Sequence, residues 1–324
     1  MTMMLRMMRT VLPIAMALMA SPALAAYPDH PVKVIVPFAA GGPADVTARL
    51  IFNKVGDRLG QSFLIDNRGG AGGNIGTVAG AGAAPDGYTL TLITPAQIIN
   101  MTLFASPGYD IARDFTPVSL FNTAPGLLLA NPQVGVGTFG EMVALAKAKP
   151  GQLSFASQGV GVAPHLMMEM IKTRAGIDMV HVPYRGSAPA LNDLLAGTVQ
   201  LMIDSMVTGL PHVKSGALRG LAVSTSKRSP LAPEIPTIAE AGLPGFDASL
   251  WYGVVAPART PPEAVGVLAS AIAEVLKLPD IRERLLALGS TPAEPAGAAS
   301  FARFLKDEEQ KWPEVVRASG AKAQ

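Results

Sequence analysis

Two segments in different halves of the sequence have the same order of features, and this shared order most constrains the fold. Each passes from an apolar run through a glycine-containing turn to a proline that can start a helix: Val32–Asp45 (VKVIVPFAAGGPAD) and Leu153–His165 (LSFASQGVGVAPH). Free backbone N–H groups and the dipole at such a helix start favour a small anion. Neither turn carries an obvious nucleophile, metal cluster or cofactor motif. The sequence therefore predicts a protein that holds a carboxylate rather than transforms it.

Short β-branched runs alternate with segments of helical periodicity along the rest of the chain, which predicts an α/β fold with parallel strands. The predicted strands are 32–38, 62–67, 89–94, 127–131, 153–157, 179–184, 199–204, 218–225 and 251–257. Predicted helices cover 43–60, 139–147, 187–197, 262–276, 280–289 and 298–319, and two more begin near Asn74 and at Pro164. Ligands of such sheets bind at the carboxyl ends of the strands.

The N-terminal segment has the order of a secretory signal peptide. Arg6 and Arg9 precede an apolar run from Val11 to Met19, and Ala23-Leu24-Ala25 follows. The run is shorter than the roughly 20 residues that a membrane-spanning helix needs. We therefore expect export to the periplasm, with cleavage after Ala25 or Ala26.

Charge and cysteine content narrow the functional classes. Cleavage would remove two of the 26 basic residues and none of the 24 acidic ones, which leaves a formally neutral chain. A basic surface for nucleic acid is therefore not indicated. The absence of cysteine excludes disulfides, thiolate metal sites and cysteine nucleophiles.

The length of the exported chain, about 300 residues, is more than one hydrophobic core usually serves, so we expect two lobes. The first lobe is predicted to comprise residues 27–124 and 250–324, and the second lobe residues 125–249. The chain would then cross between the lobes twice and form a two-strand hinge.

Several motifs have competing interpretations. The run Gly69–Gly76 (GGAGGNIG) does not fit the dinucleotide fingerprint, because Ile75 stands where the third glycine is required, so we predict no nucleotide cofactor. His165 and Glu169 have the i, i+4 spacing of metal ligands, but no second pair completes a site, which favours helix packing and no metal. Arg185 either clamps a carboxylate or is an ordinary surface arginine. Asp45 either contacts a ligand or stabilises the helix start by its charge.

Seven segments, taken together and in order, resemble the substrate-binding receptors of tripartite tricarboxylate transporters, the TctC or Bug family. They are YPDHPVKVIVPFAAGGPADVTAR, NRGGAGGNIG, APDGYTL, SQGVGVAPHL, VPYRGSAPALNDLLAG, SPLAPEIPTIAEAG and WYGVVAP. The resemblance runs from about Tyr27 to the C-terminus.

The resemblance implies a periplasmic binding protein-like fold of type II, with two α/β lobes around a cleft that closes on a small organic carboxylate. It also implies a monomeric, non-enzymatic receptor that delivers its ligand to the permease subunits of a membrane transporter. Carried over to this chain, the ligand-binding residues of the family are Phe38, Ala39, Gly41, Gly42, Asp45, Asn74, Pro95, Ser157, Gly159, Gly161, Tyr184, Gly186 and Asp204. Backbone groups and bridging waters hold the carboxylate in relatives, which is physically reasonable because a bridging water is nearly as favourable as a direct bond.

Two alternatives remain open at this stage. The first is an exported carboxylate-ester hydrolase with Ser157 and His165 as its tempting pair, although no acidic residue that would orient the histidine is identifiable. The second is a sensor that reports ligand occupancy to a signalling partner. A sensor would use the same cleft as a transport receptor, so the sequence does not separate these two functions.

Overall fold

The structure, a computed structural model, describes residues 27–294, 297–319 and 321. The predicted signal peptide, residues 1–26, lies outside this part of the chain. Within it, no helix has the length and apolar character needed to cross a membrane. The described strands are β1 (Val32–Val36), β2 (Phe63–Asn67), β3 (Thr89–Ile93), β4 (Phe115–Ala130), β5 (Ser154–Ser157), β6 (Val180–Pro183), β7 (Leu201–Ser205), β8 (Arg219–Val223), β9 (Ser249–Pro257) and β10 (Thr291–Pro292).

The helices lie between these strands and after them, as the predicted alternation requires. They are α1 (Pro43–Leu59), α2 (Asn74–Ala81), α3 (Pro95–Leu103), α4 (Ile111–Asp114), α5 (Phe139–Ala148), α6 (Ala163–Ala175), α7 (Ser187–Ala196), α8 (Met206–Lys214), α9 (Pro262–Lys277), α10 (Pro279–Ala287) and α11 (Ala298–Ser319). The predicted elements agree with these bounds within a few residues except at β4, whereas α3, α4 and α8 were not predicted.

The strands form two sheets that share β4. In the first lobe the strand order is β2-β1-β3-β9-β4, with β1 parallel to β2 and β3. In the second lobe the order is β4-β7-β5-β6, with β5 parallel to both of its neighbours. β9 runs antiparallel to β3 and β4, and β8 runs antiparallel to β4. The carboxyl ends of the parallel strands face the cleft between the lobes.

The crossing between the lobes differs from the expected one. A new strand was predicted at 127–131, but β4 is a single strand of 16 residues that pairs with β9 as far as Pro125 and with β7 from Gly126. Prolines and register shifts interrupt its apolar pattern, and this interruption hides its continuity in the sequence. We propose that the lobe boundaries expected at 124/125 and 249/250 coincide with this change of pairing and with the start of β9.

Helix α11 does more than complete the first lobe, which was its predicted role. It packs against α3 of the first lobe, α6 of the second lobe and β4 between them. Phe301 and Trp312 from this helix are fully buried in a hydrophobic core that includes Ile98 of α3 and Met167 of α6. The helix therefore braces the hinge from outside the cleft.

Candidate functional site

Five helix N-termini converge on one cavity between the lobes, which we call the inner cavity. This convergence follows from the fold, because each of these helices comes directly after the carboxyl end of a strand. The space free of protein atoms is about 540 Å³, part of which is open to solvent. The following residues at or just before the helix starts line it: Gly42, Pro43 and Ala44 at α1, Thr94 and Pro95 at α3, Val162, Ala163 and Pro164 at α6, Gly186 and Ser187 at α7, and Asp204 and Ser205 at α8.

Three of the five helices leave their first N–H groups without a side-chain cap. Thr94 and Ser205 cap α3 and α8 by accepting hydrogen bonds from backbone N–H groups of the first turn. By contrast, α1, α6 and α7 follow Gly42, Val162 and Gly186, which provide no side-chain cap. Uncapped N–H groups and aligned helix dipoles stabilise a small anion. The inner cavity is therefore suited to a carboxylate, although no lysine, arginine or histidine is among the residues that line it.

An apolar wall from the hinge closes the other side of the inner cavity. Leu250, Trp251 and Tyr252 of β9 form this wall. The Trp251 indole donates a 2.6 Å hydrogen bond to Oε2 of Glu308 on α11, and the Trp312 indole donates to the same oxygen at 2.6 Å. All three side chains are buried, so α11 fixes the position of the cavity wall.

Asp204 is the one carboxylate among the residues that line the inner cavity, and protein donors surround it. Its Oδ1 accepts hydrogen bonds from Gln158 Nε2 and the Ser205 N–H, and its Oδ2 accepts from the hydroxyls of Ser187 and Thr208. Burial raises the pKa of this carboxyl, and the hydrogen bonds oppose the rise. These four donors use the usual acceptor capacity of a carboxylate. The hydrogen-bonding capacity of Asp204 is therefore used within the protein.

The structure brings only part of the predicted ligand-binding set to the inner cavity. Six of the predicted residues line it: Phe38, Ala39, Gly42, Pro95, Gly186 and Asp204. Gly159 and Tyr184 line a different cavity, which both lobes also contribute to. The remaining five line neither cavity: Gly41, Asp45, Asn74, Ser157 and Gly161.

Asp45 braces the turn before α1. It accepts hydrogen bonds at 3.0 Å from the Gly41 N–H, Arg49 Nε and Asn67 Nδ2. Burial raises its pKa, but the bonds from Arg49, Gly41 and Asn67 outweigh burial and hold the pKa below its usual range. The Gly41 N–H is therefore already used within the protein, and Asp45 stabilises the turn that leads into α1.

Asn74 has a similar bracing role at the start of α2. Its Oδ1 accepts hydrogen bonds from Asn100 Nδ2 at 2.7 Å and from the Tyr109 hydroxyl at 3.0 Å. These bonds tie α2 to α3 and to the segment that follows α3. The side chain of Asn74 thus stabilises the first lobe at a distance from the inner cavity.

Glycines on each lobe lie close to residues of the other lobe. A Cβ atom on Gly72 would lie 2.1 Å from the Val160 carbonyl oxygen, and one on Gly161 would lie 1.9 Å from Oδ1 of Asn100. Real Cβ atoms do not approach other atoms so closely. The lobes are therefore in direct contact in this conformation. Gly161 allows that contact because it has no side chain, and it does not line the inner cavity.

The partner of Ser157 is not His165. Its hydroxyl lies 2.6 Å from Nε2 of His181 on β6. His165 stacks on His181 with ring centroids 4.0 Å apart and accepts a hydrogen bond from the Gly161 N–H. Ser157 is fully buried, and among the described residues no carboxylate is hydrogen-bonded to either ring. This geometry supports the glycine turn and does not present an activated serine to the cleft.

We expect the stacked histidines to make the fold sensitive to acid. Burial, together with nearby positive charge, lowers the pKa of His165 to about 3 and that of His181 to about 4. The unfolded chain takes up these protons near pH 6.5. Because the unfolded state binds more protons between about pH 6.5 and about pH 4, stability should fall as the pH drops through that window.

Urea unfolding at a series of pH values measures this effect in the wild type and in His181→Gln. The glutamine keeps a polar group near Ser157 but does not titrate, so the variant should lose less stability on acidification. His212→Gln, which changes a histidine outside the stack, is the control and should follow the wild type. Parallel pH dependence in wild type and His181→Gln would show that the stack is not responsible.

Several residues that line the inner cavity were not in the predicted ligand-binding set. Ser187, Ser205, Thr94 and Val162 belong to helix starts, and Trp251 and Tyr252 lie where β9 enters the hinge. The proline and glycine signals identified the α1 and α6 turns. Helix α8 was not recognised in the sequence, because Gly209 and Pro211 within it are residues that disfavour a helix.

Comparisons with known proteins show similarity in sequence and fold to one family. The family model described as tripartite tricarboxylate transporter family receptor matches residues 47–321. Protein BugT of Bordetella pertussis is 40% identical over 312 residues, which cover 95% of each chain. A solved Rhodopseudomonas palustris protein with adipate superposes with a TM-score of 0.88 at 36% identity and covers 91% of this chain and 99% of its own. MatC from the same organism, with bound malate, gives a TM-score of 0.86 at 35% identity over 90% of this chain and all of its own.

Proposed function

The chain belongs to the tripartite tricarboxylate transporter receptor family, and we propose that it binds a small organic carboxylate between its lobes and delivers it to a tripartite membrane transporter. The family assignment and the two-lobe fold of type II confirm two predictions from the sequence. Its solved relatives hold adipate and malate. We infer that the ligand of this protein is an acid of similar size, bound in the periplasm after removal of the signal peptide.

One observation supports this proposal most strongly. Three uncapped helix N-termini, from both lobes, face the same inner cavity. A carboxylate held by N–H groups of α1 on one side and of α6 and α7 on the other would bind the closed form more tightly than the open form. Only such a difference in affinity shifts an open–closed equilibrium. The transporter would then recognise the closed form.

The hydrolase alternative gains no support from the geometry of Ser157, whose side chain is buried and points to His181 and to the Gly159 carbonyl. A sensor role uses the same inner cavity and differs only in the partner. We favour transport because the family model describes receptors of transporters. We also propose that the receptor acts as a monomer, since each chain contains a complete inner cavity.

A thermal-shift screen with organic acids and their primary amides tests the proposal. An acid at about 100 times its dissociation constant should stabilise the protein by about 2.7 kcal/mol. The matched amide has a similar shape without the negative charge and should stabilise it far less. Trp251 lines the inner cavity, so a change in its fluorescence on titration gives a second readout. Equal stabilisation by acids and amides, or none by any acid, would rule out carboxylate binding.

A further inference from the structure

One turn of the second lobe, residues 158–162 between β5 and α6, packs directly against the first lobe, and we call it the contact turn. A Cβ atom on Gly159 would lie 3.5 Å from the Gly72 Cα atom. One on Gly161 would lie 1.9 Å from Oδ1 of Asn100. Because the two lobes approach so closely at these glycines, the contact between them depends on the position of the contact turn.

Two stacked histidines of the second lobe hold the contact turn in place. His165 Nδ1 accepts a 3.3 Å hydrogen bond from the Gly161 N–H. His181 Nε2 lies 2.6 Å from the Ser157 hydroxyl, which is also bonded to the carbonyl and the N–H of Gly159 at 2.8 and 3.2 Å. The two rings stack with centroids 4.0 Å apart and an interplanar angle of 17°. The stack is thus connected to both glycines that lie against the first lobe.

The geometry of the stack requires neutral rings. His165 Nδ1 accepts from the Gly161 N–H, so a proton on Nδ1 would set two donors against each other. A charge on His181 would lie between the His165 ring and the Phe155 ring, whose centroid is 4.9 Å away. Charge on both rings at once would be repulsive at this separation. A proton on either ring therefore disturbs the support of the contact turn.

The charged groups around the stack do not favour a proton on it. Lys172 of α6 disfavours protonation of both rings by its charge and is paired with Glu169 at 3.0 Å. Of the other elements packed on α6, α3 and β5 contain no charged residue. β7 contributes Asp204 and α11 contributes the buried Glu308, and each carboxylate is bonded to its own donors. Burial is the main cause that lowers the pKa of both histidines.

We propose that protonation of the stacked histidines disfavours the closed form, so that the receptor loses affinity for its carboxylate ligand as the medium becomes acidic. The inference rests on the proposed function and adds regulation by pH to the same site. It differs from the acid sensitivity of the fold, because it acts on the open–closed equilibrium of a protein that remains folded.

The coupling follows from the lobe that each contact belongs to. Opening of the cleft separates the contact turn from Gly72 and Asn100, which lie on the first lobe. The turn then moves away from His165, and water reaches the ring, so the pKa of the histidine returns towards its ordinary value. The open form thus binds protons more tightly than the closed form. Linkage is reciprocal, so binding of a carboxylate releases protons from the stack.

Calorimetric titrations with malate and with adipate, at about pH 7.5 and at about pH 5, test the coupling. From the higher to the lower pH, the wild type should lose about tenfold more affinity than His165→Asn, whose amide oxygen can accept from the Gly161 N–H without titrating. Protonation of the acid itself is common to both proteins and cancels. Near pH 5.5 the wild type should release roughly half to one proton more per acid bound, measured in buffers of different ionisation enthalpy.

His181→Gln is a second variant and should also reduce the pH dependence, and it carries the comparison if His165→Asn does not fold. His212→Gln changes a histidine outside the stack and should follow the wild type. Urea unfolding at each pH shows that the proteins compared are folded. Equal pH dependence and equal proton release in the wild type and the stack variants would overturn the coupling and leave the proposed function standing. Failure of both acids to bind at either pH would count against both.

Discussion

Replacing Ala39 by phenylalanine should weaken carboxylate binding by about a hundredfold while leaving the fold intact. Ala39 lines the inner cavity from the first lobe, and a Cβ atom on Gly186 of the second lobe would lie only 3.1 Å from the Ala39 Cβ. A large ring at this position occupies the space between the lobes. Overpacking a close contact typically costs 1–3 kcal/mol, and the upper part of that range corresponds to about a hundredfold in affinity.

Calorimetry with the best acid from the thermal-shift screen measures this loss, and urea unfolding of the ligand-free protein measures the fold. Ala39 is not part of any hydrophobic core cluster, so unfolding without ligand should match the wild type. Ala40→Phe places the same ring on the adjacent exposed residue, which does not line the inner cavity, and should bind normally. If Ala39→Phe kept its affinity, the ligand would have to bind elsewhere.

Glu308→Ala should destabilise the protein by about 3 kcal/mol. The substitution removes the acceptor of two buried indole N–H groups, on Trp251 and Trp312. A buried donor left without a partner costs about 1–3 kcal/mol, so two such donors account for the expected size. The same change loosens the wall of the inner cavity, because Trp251 is part of that wall.

Glu308→Gln retains an acceptor oxygen of the same reach and should lose about 1 kcal/mol or less. Urea unfolding of the three proteins provides the comparison, and acid titration of the alanine variant provides the effect on binding. If the alanine and glutamine variants were equally stable, the two indole hydrogen bonds would not be what holds α11 to the hinge.

The sequence predicted the parts of the site that local chemistry dictates. Glycine followed by proline marked the starts of α1 and α6, since glycine allows the turn and proline suits a first helical turn. Both helix starts line the inner cavity. The side chains proposed as ligand contacts near these turns were less predictable. Asp45 and Asn74 lie beside the right elements, but their polar atoms are bonded to neighbouring residues of the protein.

The remaining features depend on long-range register, which spacing along the chain does not reveal. His181 reaches Ser157 because β6 pairs with β5 so that His181 lies opposite Phe155. Trp251 reaches Glu308 because α11 returns across the hinge after 57 residues. Helix α8 was missed because Pro211 and Gly209 are unfavourable within helices, and packing against β4 and β7 outweighs that preference.

A crystal structure of the protein with its tightest-binding acid tests the central claim most directly. We expect a ligand carboxylate in the inner cavity, within hydrogen-bond distance of N–H groups in the first turns of α1 and α6, directly or through one water. An acid bound outside that cavity, or bound inside it with no carboxylate oxygen facing either helix start, would contradict it.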